Sequence, residues 1–303
     1  MSPPLFGSPH FLEPPVFRPP SEAYSLILQA TLGCSHNKCT FCGSYRTKQF
    51  RTKPFETFRA EVEHLAREQG VRPQRIFLAD GDALVLSTEK LLRILGLLYK
   101  EFPGLERVTI YGSADNARHK SDAELRQLHQ AGLGMVYIGL ESGDDEVLRR
   151  VNKGASNQDH INACRRMIEA GLKVSVIIIL GLGGTELSRQ HATHTAATLN
   201  TIDPPYLAAL TLMLVPGTEL HAQAQAGTFD PLNPLETLHE LRQIIDGLTD
   251  LTSCVFRTNH ASNYLQLRGV LSRDRTRLLE EIDAVLAQPE TARHLRPEFL
   301  RRL

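Results

Sequence analysis

The stretch Tyr24-Ser25-Leu26-Ile27-Leu28-Gln29-Ala30-Thr31-Leu32, followed at once by Gly33-Cys34-Ser35-His36-Asn37-Lys38-Cys39-Thr40-Phe41-Cys42-Gly43, joins a strand-like apolar run to a loop that carries three cysteines. Three thiolates this close in sequence suit one metal centre. A cubane iron-sulfur cluster has four irons and takes four thiolates for full ligation. With no fourth cysteine nearby, one iron is left open, by the logic that separates open catalytic metal sites from closed structural ones. A zinc knuckle with His36 as fourth ligand is one alternative, although His36 lies close to Cys34 for a tetrahedron and structural zinc ligands usually come as paired hooks. A disulfide is the other, and it needs an oxidising compartment to which nothing in the chain points.

Composition bounds the rest. The 303 residues suit one α/β barrel-like domain, which at this size buries about three quarters of its unfolded surface. Lys plus Arg balances Asp plus Glu at 34 each, so no global field draws nucleic acid or an anionic membrane. No apolar run reaches the roughly 18 residues of a membrane span, and Met1 to Pro20 is proline-rich where a signal peptide would be apolar. The expectation is a cytoplasmic protein with reduced thiols, no membrane contact and a small-molecule substrate.

Hydrophobic periodicity alternates strand and helix. Short β-branched or leucine-rich runs at Ser25–Leu32, Arg75–Ala79, Arg107–Tyr111, Met135–Leu140, Lys173–Leu180 and Tyr206–Val215 read as strands. Apolar residues at i, i+3, i+4 spacing mark helices over Phe55–Glu68, Thr88–Phe102, Asp122–Ala131, Asp144–Val151, Asn157–Ala170 and Thr185–Leu199. The fold class is α/β: a parallel sheet with external helices, curling into a barrel whose βα loops carry the chemistry. Those loops hold the notable polar residues. They are the cysteine loop, Asp80-Gly81-Asp82, Ser113-Ala114-Asp115-Asn116, Glu141-Ser142-Gly143, Gly181-Leu182-Gly183-Gly184-Thr185 and Pro216-Gly217-Thr218.

The three-cysteine loop after the first strand, with an aromatic residue just before the last cysteine, resembles the radical S-adenosylmethionine superfamily. Phe77-Leu78-Ala79-Asp80-Gly81-Asp82, Tyr137-Ile138-Gly139-Leu140-Glu141-Ser142-Gly143 and Val151-Asn152-Lys153-Gly154 are similar to its branch of coproporphyrinogen oxidases, methylthiotransferases and the Elongator catalytic subunit. The resemblance implies a partial (β/α)6 TIM-like barrel over residues 24–220, after a proline-rich segment (1–23) and before an α-rich C-terminal extension (221–303) packed on the barrel opening.

It also implies roles. Cys34, Cys39 and Cys42 would ligate three irons of a [4Fe–4S] cluster, and S-adenosylmethionine would chelate the fourth. Asp80, Gly81 and Asp82 would receive the methionine ammonium, with Asp82 as the acidic position. Phe41 would pack near adenine, and Gly181 and Gly183 would let backbone approach the same ring. Ser113 and Glu141 would accept ribose hydroxyls, and Lys153 would pair with the methionine carboxylate. One electron from a donor such as flavodoxin or ferredoxin would cleave the sulfonium to methionine and a 5′-deoxyadenosyl radical, which abstracts hydrogen from the substrate. The same segments otherwise serve as turns and caps: Asp80, Asp82 and Glu141 can begin helices, and Lys153 can complement a helix end.

Departures narrow the field. The cysteine spacers are four and two, where the coproporphyrinogen oxidases and haem-trafficking relatives usually have three and two. Val176-Ile177-Ile178-Ile179-Leu180 lacks their aspartate, and Gly-Leu-Gly-Gly lacks their proline. Methylthiotransferases need three more cysteines, and only Cys164 and Cys254 remain. A cluster-binding haem carrier and an RNA- or peptide-modifying enzyme stand as alternatives to an enzyme of small molecules. Beyond the barrel, helices over Pro234–Leu248 and Asp274–Leu286 flank a strand at Cys254–Phe256 and the polar run from Arg257 to Tyr264. There Arg257 would hold a carboxylate or phosphate, His260 would move a proton, and Asn263 would complete the catalytic set. Arg46, Lys48, Arg51 and Lys53 add a second hint of an anionic substrate. Ala292–Leu303 reads as a solvent-facing end.

Overall fold

The computed structural model describes residues 11–68, 70–287 and 295–302. Residues 1–10 of the proline-rich segment, and 292–294 and 303 of the expected tail, lie outside the described residues. The chain divides into two compact units. One is built from the described residues of Met1–Asn37, from Ser44–Ile138 and from Arg165–Val174. The other takes Lys38–Gly43, Gly139–Cys164 and the described residues of Ser175–Leu303.

The first unit runs β1 (Leu26–Gln29), β2 (Thr31–Leu32), β3 (Arg51–Thr52), α1 (Phe55–Arg67), β4 (Arg75–Ala79), α2 (Thr88–Glu101), β5 (Arg107–Gly112), α3 (Ala114–Arg118), α4 (Asp122–Gln130) and β6 (Leu133–Glu141), whose end from Gly139 counts with the second unit. Strands β1, β4, β5 and β6 pair in parallel in that order, with Leu26 opposite Ile76, Ile76 opposite Val108 and Ile110 opposite Val136. Ile76, Phe77, Leu78, Val108 and Ile110 are fully buried, as parallel strands covered on both faces must be. Helix α2 turns Leu91, Ile94, Leu95 and Leu98 inward from one stripe, and α1 does the same with Phe58, Val62 and Leu65. Ser87, Ser113 and Ser121 start α2, α3 and α4 by accepting a backbone N–H three residues on.

The expected first strand is broken. Lys53 donates its N–H to the Ala30 carbonyl, and Thr31–Leu32 turns away from β4 to pair antiparallel with Arg51–Thr52. The small ladder closes the chain on either side of the cysteine loop. From Phe11 onward the proline-rich segment is bound into this unit as well. The Glu13 N–H and carbonyl both bond the Gln29 side chain, at 2.8 and 3.1 Å, and Phe17 meets the Tyr45 ring edge-on. Further along, buried Glu22 takes the Tyr137 hydroxyl at 2.5 Å and Arg107 at 3.0 Å.

The second unit contains α5 (Asp145–Arg150), most of α6 (Asn157–Glu169), β7 (Lys173–Leu180) from Ser175 on, α7 (Gly184–Ile202), β8 (Tyr206–Thr211), α8 (Glu219–Gln225), α9 (Pro234–Gly247), β9 (Val255–Arg257), β10 (Arg268–Val270) and α10 (Leu271–Leu286). Strands β7, β8 and β9 pair in parallel, and β10 adds an antiparallel edge. Helix α9 packs on both α7 and α10. Asn233 caps α9 through a reciprocal bond pair with Glu236, and Pro234 takes the first turn, where a missing N–H costs nothing.

Two expectations change here. Strand β8 stops at Thr211, short of Val215, because only Leu212 still finds a partner on β7, the Leu180 carbonyl. The described end of the chain is mostly exposed, over 297–300 and at 302, but it is anchored, because Leu295 and Arg301 are buried. The Arg301 guanidinium donates to the carbonyls of Ser262 and Leu212 at 2.6 and 2.7 Å and to the Tyr264 hydroxyl at 2.6 Å, and lies 4.2 Å over the Tyr264 ring. Those carbonyls lie outside the strands, so without a donor they would be unpaired, that of Ser262 in a buried place and that of Leu212 in a part-buried one. Arg301→Ala is therefore expected to destabilise the protein by about 2–4 kcal/mol, the scale of several lost charge-assisted hydrogen bonds. Denaturant unfolding checks this, and an unchanged midpoint would return the tail to a surface role.

Candidate active site

In the first unit the site is built around the turn after β4. Asp80 is fully buried, and its carboxylate accepts the Gln29 amide at 3.0 Å, the Gly33 N–H at 2.9 Å and the Lys48 ammonium at 2.8 Å. These groups occupy both oxygens. Through them Asp80 ties the entrance of the cysteine loop to β1 and β4. Lys48 is spent in this pair, Arg51 on Glu13 and Lys53 on Glu61, which removes the basic run as a sign of an anionic substrate. Arg46 too has a partner.

Gly81 comes next and donates its N–H to the Gly33 carbonyl at 3.1 Å. A Cβ there would lie 2.6 Å from the Cys34 Cβ, so only glycine lets Cys34 rest against this turn. Asp82, also buried, accepts the Ser35 N–H at 3.0 Å and the Ser35 hydroxyl. Burial pushes its carboxyl up, while the bonds from Ser35 and Asn116 pull it down. Ser113 caps α3, taking the Asn116 N–H at 3.1 Å, and Asn116 accepts the Ser113 N–H in return. Residues 113–116, expected as a polar loop on the rim, open a short helix.

In the second unit, Thr40 is held at the middle of the cysteine loop. Its N–H donates to the Val151 carbonyl at 2.9 Å, and its carbonyl accepts from Leu220 at 3.0 Å. Phe41 packs on an apolar nest of Val147, Val151, Leu182 and Leu220, which joins it to the turn after β7. That turn opens at Gly181 in a left-handed conformation (φ 79°), and Gly183 leads into α7. Glu141 also sits at positive φ (64°), uncommon for a side chain with a Cβ, and meets Lys153 at 2.8 Å with both side chains largely buried. Two residues expected to serve the cofactor are thus brought together.

The three residues of the expected catalytic trio differ in placement. Asn263 is buried, donates to the carbonyls of Ala209 and Thr258 and accepts the Thr211 hydroxyl, so its amide fastens the loop to β8 and is not offered to a substrate. His260 is half-buried against Ser262, its imidazole held below the usual range by burial and then by Arg296. Arg257 is exposed at the end of β9 and lines a cavity of about 680 Å³ with Arg268, Arg273, Arg277 and Asp274.

Sequence reasoning placed Asn116 in the polar loop after the third strand without a role of its own, and missed Gln29, Ser35, His160, His191 and Glu240. Gln29 and Glu240 carried a signal, a polar residue on an otherwise apolar strand or helix stripe; Ser35 and the two histidines carried none.

Residues 28–195, more than half of the chain, match the family model of the Radical SAM superfamily. The chain belongs to this superfamily. It is 23% identical over 171 residues to the heme chaperone HemW of Bacillus subtilis, a match covering 56% of this chain and 44% of that protein. Coproporphyrinogen III oxidase from Escherichia coli shares the fold with a TM-score of 0.56 at 18% identity, over 76% of this chain and 53% of the other. Methylornithine synthase does so with a TM-score of 0.52 at 18% identity, over 88% and 84%. The fold class is thus the partial (β/α) barrel with an α-rich C-terminal extension, and the cofactors are a [4Fe–4S] cluster and S-adenosylmethionine. No helix among the described residues is long and apolar enough to cross a membrane.

The thiols fit that cluster. Cys34, Cys39 and Cys42 form no disulfide and are half-buried, whereas burial pushes Cys164 and Cys254 up to about 12, beyond use as thiolate ligands. Among the described residues no three His, Cys, Asp or Glu side chains converge on a point that one ion could share, and a cubane does not ask for this because each thiolate binds its own iron.

Two outcomes follow from this geometry. Gly81→Ala is expected to lower iron incorporation on anaerobic reconstitution while leaving circular dichroism unchanged; full iron loading would show that Cys34 can shift without cost. His160 is fully buried beside the Ser156 carbonyl, and burial first, Lys153 second, pull its imidazole down to about 4. Its unfolded value is about 6.5, so below that pH the unfolded chain binds the extra proton. The stability tied to neutral His160 is complete above about pH 6.5 and falls on acidification towards about pH 4, by about 2 kcal/mol at pH 5. Denaturant titrations of wild type and His160→Asn across this window should show a flatter slope in the variant, and equal slopes would refute the assignment.

Proposed function

We propose that the chain is a radical SAM enzyme that acts on a small anionic substrate. The observation that carries this reading is the set of accessible thiols: three on one pinned loop, with the other two cysteines buried and unusable, which leaves one iron for S-adenosylmethionine. Together cluster and S-adenosylmethionine supply a one-electron reductive cleavage to methionine and a hydrogen-abstracting 5′-deoxyadenosyl radical. Asp82 offers an acidic edge for the methionine ammonium, Lys153 a cation for its carboxylate, and the Ser113 hydroxyl and the Glu141 carboxylate acceptors for the ribose. Phe41 and the backbone at Gly181 and Gly183 flank the adenine. A reduced flavodoxin- or ferredoxin-like protein delivers the electron.

Arg257 supports the anionic substrate. It stands opposite Arg268 in the β9–β10 ladder, both side chains are exposed, and like charges in directly opposed positions repel unless an anion lies between them. His260, its imidazole held below the usual range by burial, is suited to pass a proton. A second reading, a haem carrier that binds cluster and cofactor without turnover, draws on the similarity to HemW.

Anaerobically reconstituted protein is expected to bind about four irons, a content lost when Cys34, Cys39 and Cys42 are all alanine. With dithionite it should release 5′-deoxyadenosine. Arg257→Ala and His260→Ala should keep that release yet fail to convert a substrate found by incubating the reduced enzyme with cell extract. Haem binding with no product from the extract would favour the carrier.

A further inference from the structure

Helix α9 carries one buried residue out of keeping with its stripe. Leu238, Leu241, Ile244 and Ile245 are apolar, whereas Glu240, among them, has no exposed side-chain surface. A carboxylate so placed is costly unless donors surround it, and an apolar residue of similar volume would pack there at lower cost. Its partners show what it contributes. One oxygen accepts the Gly181 N–H at 2.6 Å, and the other accepts the Ser188 hydroxyl at 2.5 Å. His191, equally buried, places Nε2 3.7 Å from the first oxygen, beyond hydrogen-bond reach, and that atom has no hydrogen-bond partner among the described residues. Its Nδ1 lies 2.7 Å from the Ser142 hydroxyl, which in turn accepts the Asp144 N–H at 3.0 Å.

Hydrogen bonds thus tie the turn after β7, at Gly181, to Glu240, and the turn after β6, at Ser142, to His191, and the two halves meet where the His191 ring lies 3.7 Å from the Glu240 carboxylate. Gly181 is the left-handed residue at which β7 ends, so its N–H would otherwise be a buried orphan. Ser142 follows Glu141, the residue held against Lys153. We infer that Glu240 is a positioning residue: from the C-terminal extension it sets the β7 turn and, through His191 and Ser142, the β6 turn, so that both present their cofactor-facing groups in one geometry. This rests on the assignment of those turns to S-adenosylmethionine made above.

The test compares Glu240→Leu, Glu240→Gln and, as a control for lost stability, Leu241→Ala from the same buried stripe. Hydrogen exchange of the cluster-free chain reads the turns directly, and equilibrium dialysis of reconstituted protein reads S-adenosylmethionine affinity. Glu240→Leu should speed exchange over residues 181–184 and 142–144 and weaken S-adenosylmethionine by about tenfold or more at wild-type iron content, the loss expected for a charge-assisted bond. Glu240→Gln, which keeps an oxygen for Gly181 and an amide for its neighbours, should return both readouts to within about threefold of wild type. Leu241→Ala should lower the melting temperature and leave both readouts unchanged. Equal effects of Glu240→Leu and Leu241→Ala would overturn the inference. Should Glu240→Leu not fold, His191→Phe decides: it must loosen 142–144 and spare 181–184. A wild-type protein that binds no S-adenosylmethionine would defeat the proposed function, while the exchange comparison would still judge the role of Glu240.

Discussion

The cysteine loop depends on one buried carboxylate. Asp80 gathers the Gly33 N–H, the Gln29 amide and the Lys48 ammonium, and so fixes where the chain leaves β1 relative to the end of β4. Burying an anion costs several kcal/mol unless its lone pairs are filled. Filled, it is directional: moving any donor re-exposes the cost. The Lys48 ammonium also reaches the Glu13 carbonyl at 2.5 Å, so the N-terminal segment closes over the same point. With the entrance fixed, Cys34 can lie against the bare Cα of Gly81, and Ser35 can clamp Asp82.

The same device recurs within each unit. Glu22 takes Tyr137 and Arg107, Glu141 takes Lys153, and Glu240 takes Gly181 and Ser188. Each joins segments far apart in sequence or holds a turn just past the end of a strand. There the backbone leaves the ladder, and its N–H groups lose the partners that the sheet supplied. A binding or catalytic constellation must hold its groups to within about half an ångström, and side chains locked by such partners supply that precision where loops alone would not.

Much of the fold was legible because it is periodic. The six principal strands and the long helices announced themselves by apolar spacing, with boundaries off by a few residues, and the metal centre by three cysteines in nine positions. What stayed hidden was aperiodic. Helix α3, five residues long, is made by the reciprocal caps of Ser113 and Asn116, and β10 by pairing with β9; neither has an apolar pattern of its own. Asn263 looked catalytic because polar loop residues are common at sites. It is buried because the carbonyls of Ala209 and Thr258 need its two amide hydrogens, a demand that no local pattern encodes.

The two segments that composition marked as loose ends make the point most directly. Glu13 supplies its backbone to Gln29 and its carbonyl to Lys48; Arg301 supplies its guanidinium to Ser262, Tyr264 and Leu212. Proline enrichment and a run of arginines are the composition of solvated tails, and both segments have it. Yet Glu13 offers both its N–H and its carbonyl, and arginine carries five donors. Irregular loops are where the complementary groups stand unpaired, because no strand or helix ladder supplies their partners. Those contacts bind the segments to the folded units, Glu13 beside the entrance of the cysteine loop and Arg301 beside the turn at Ser262.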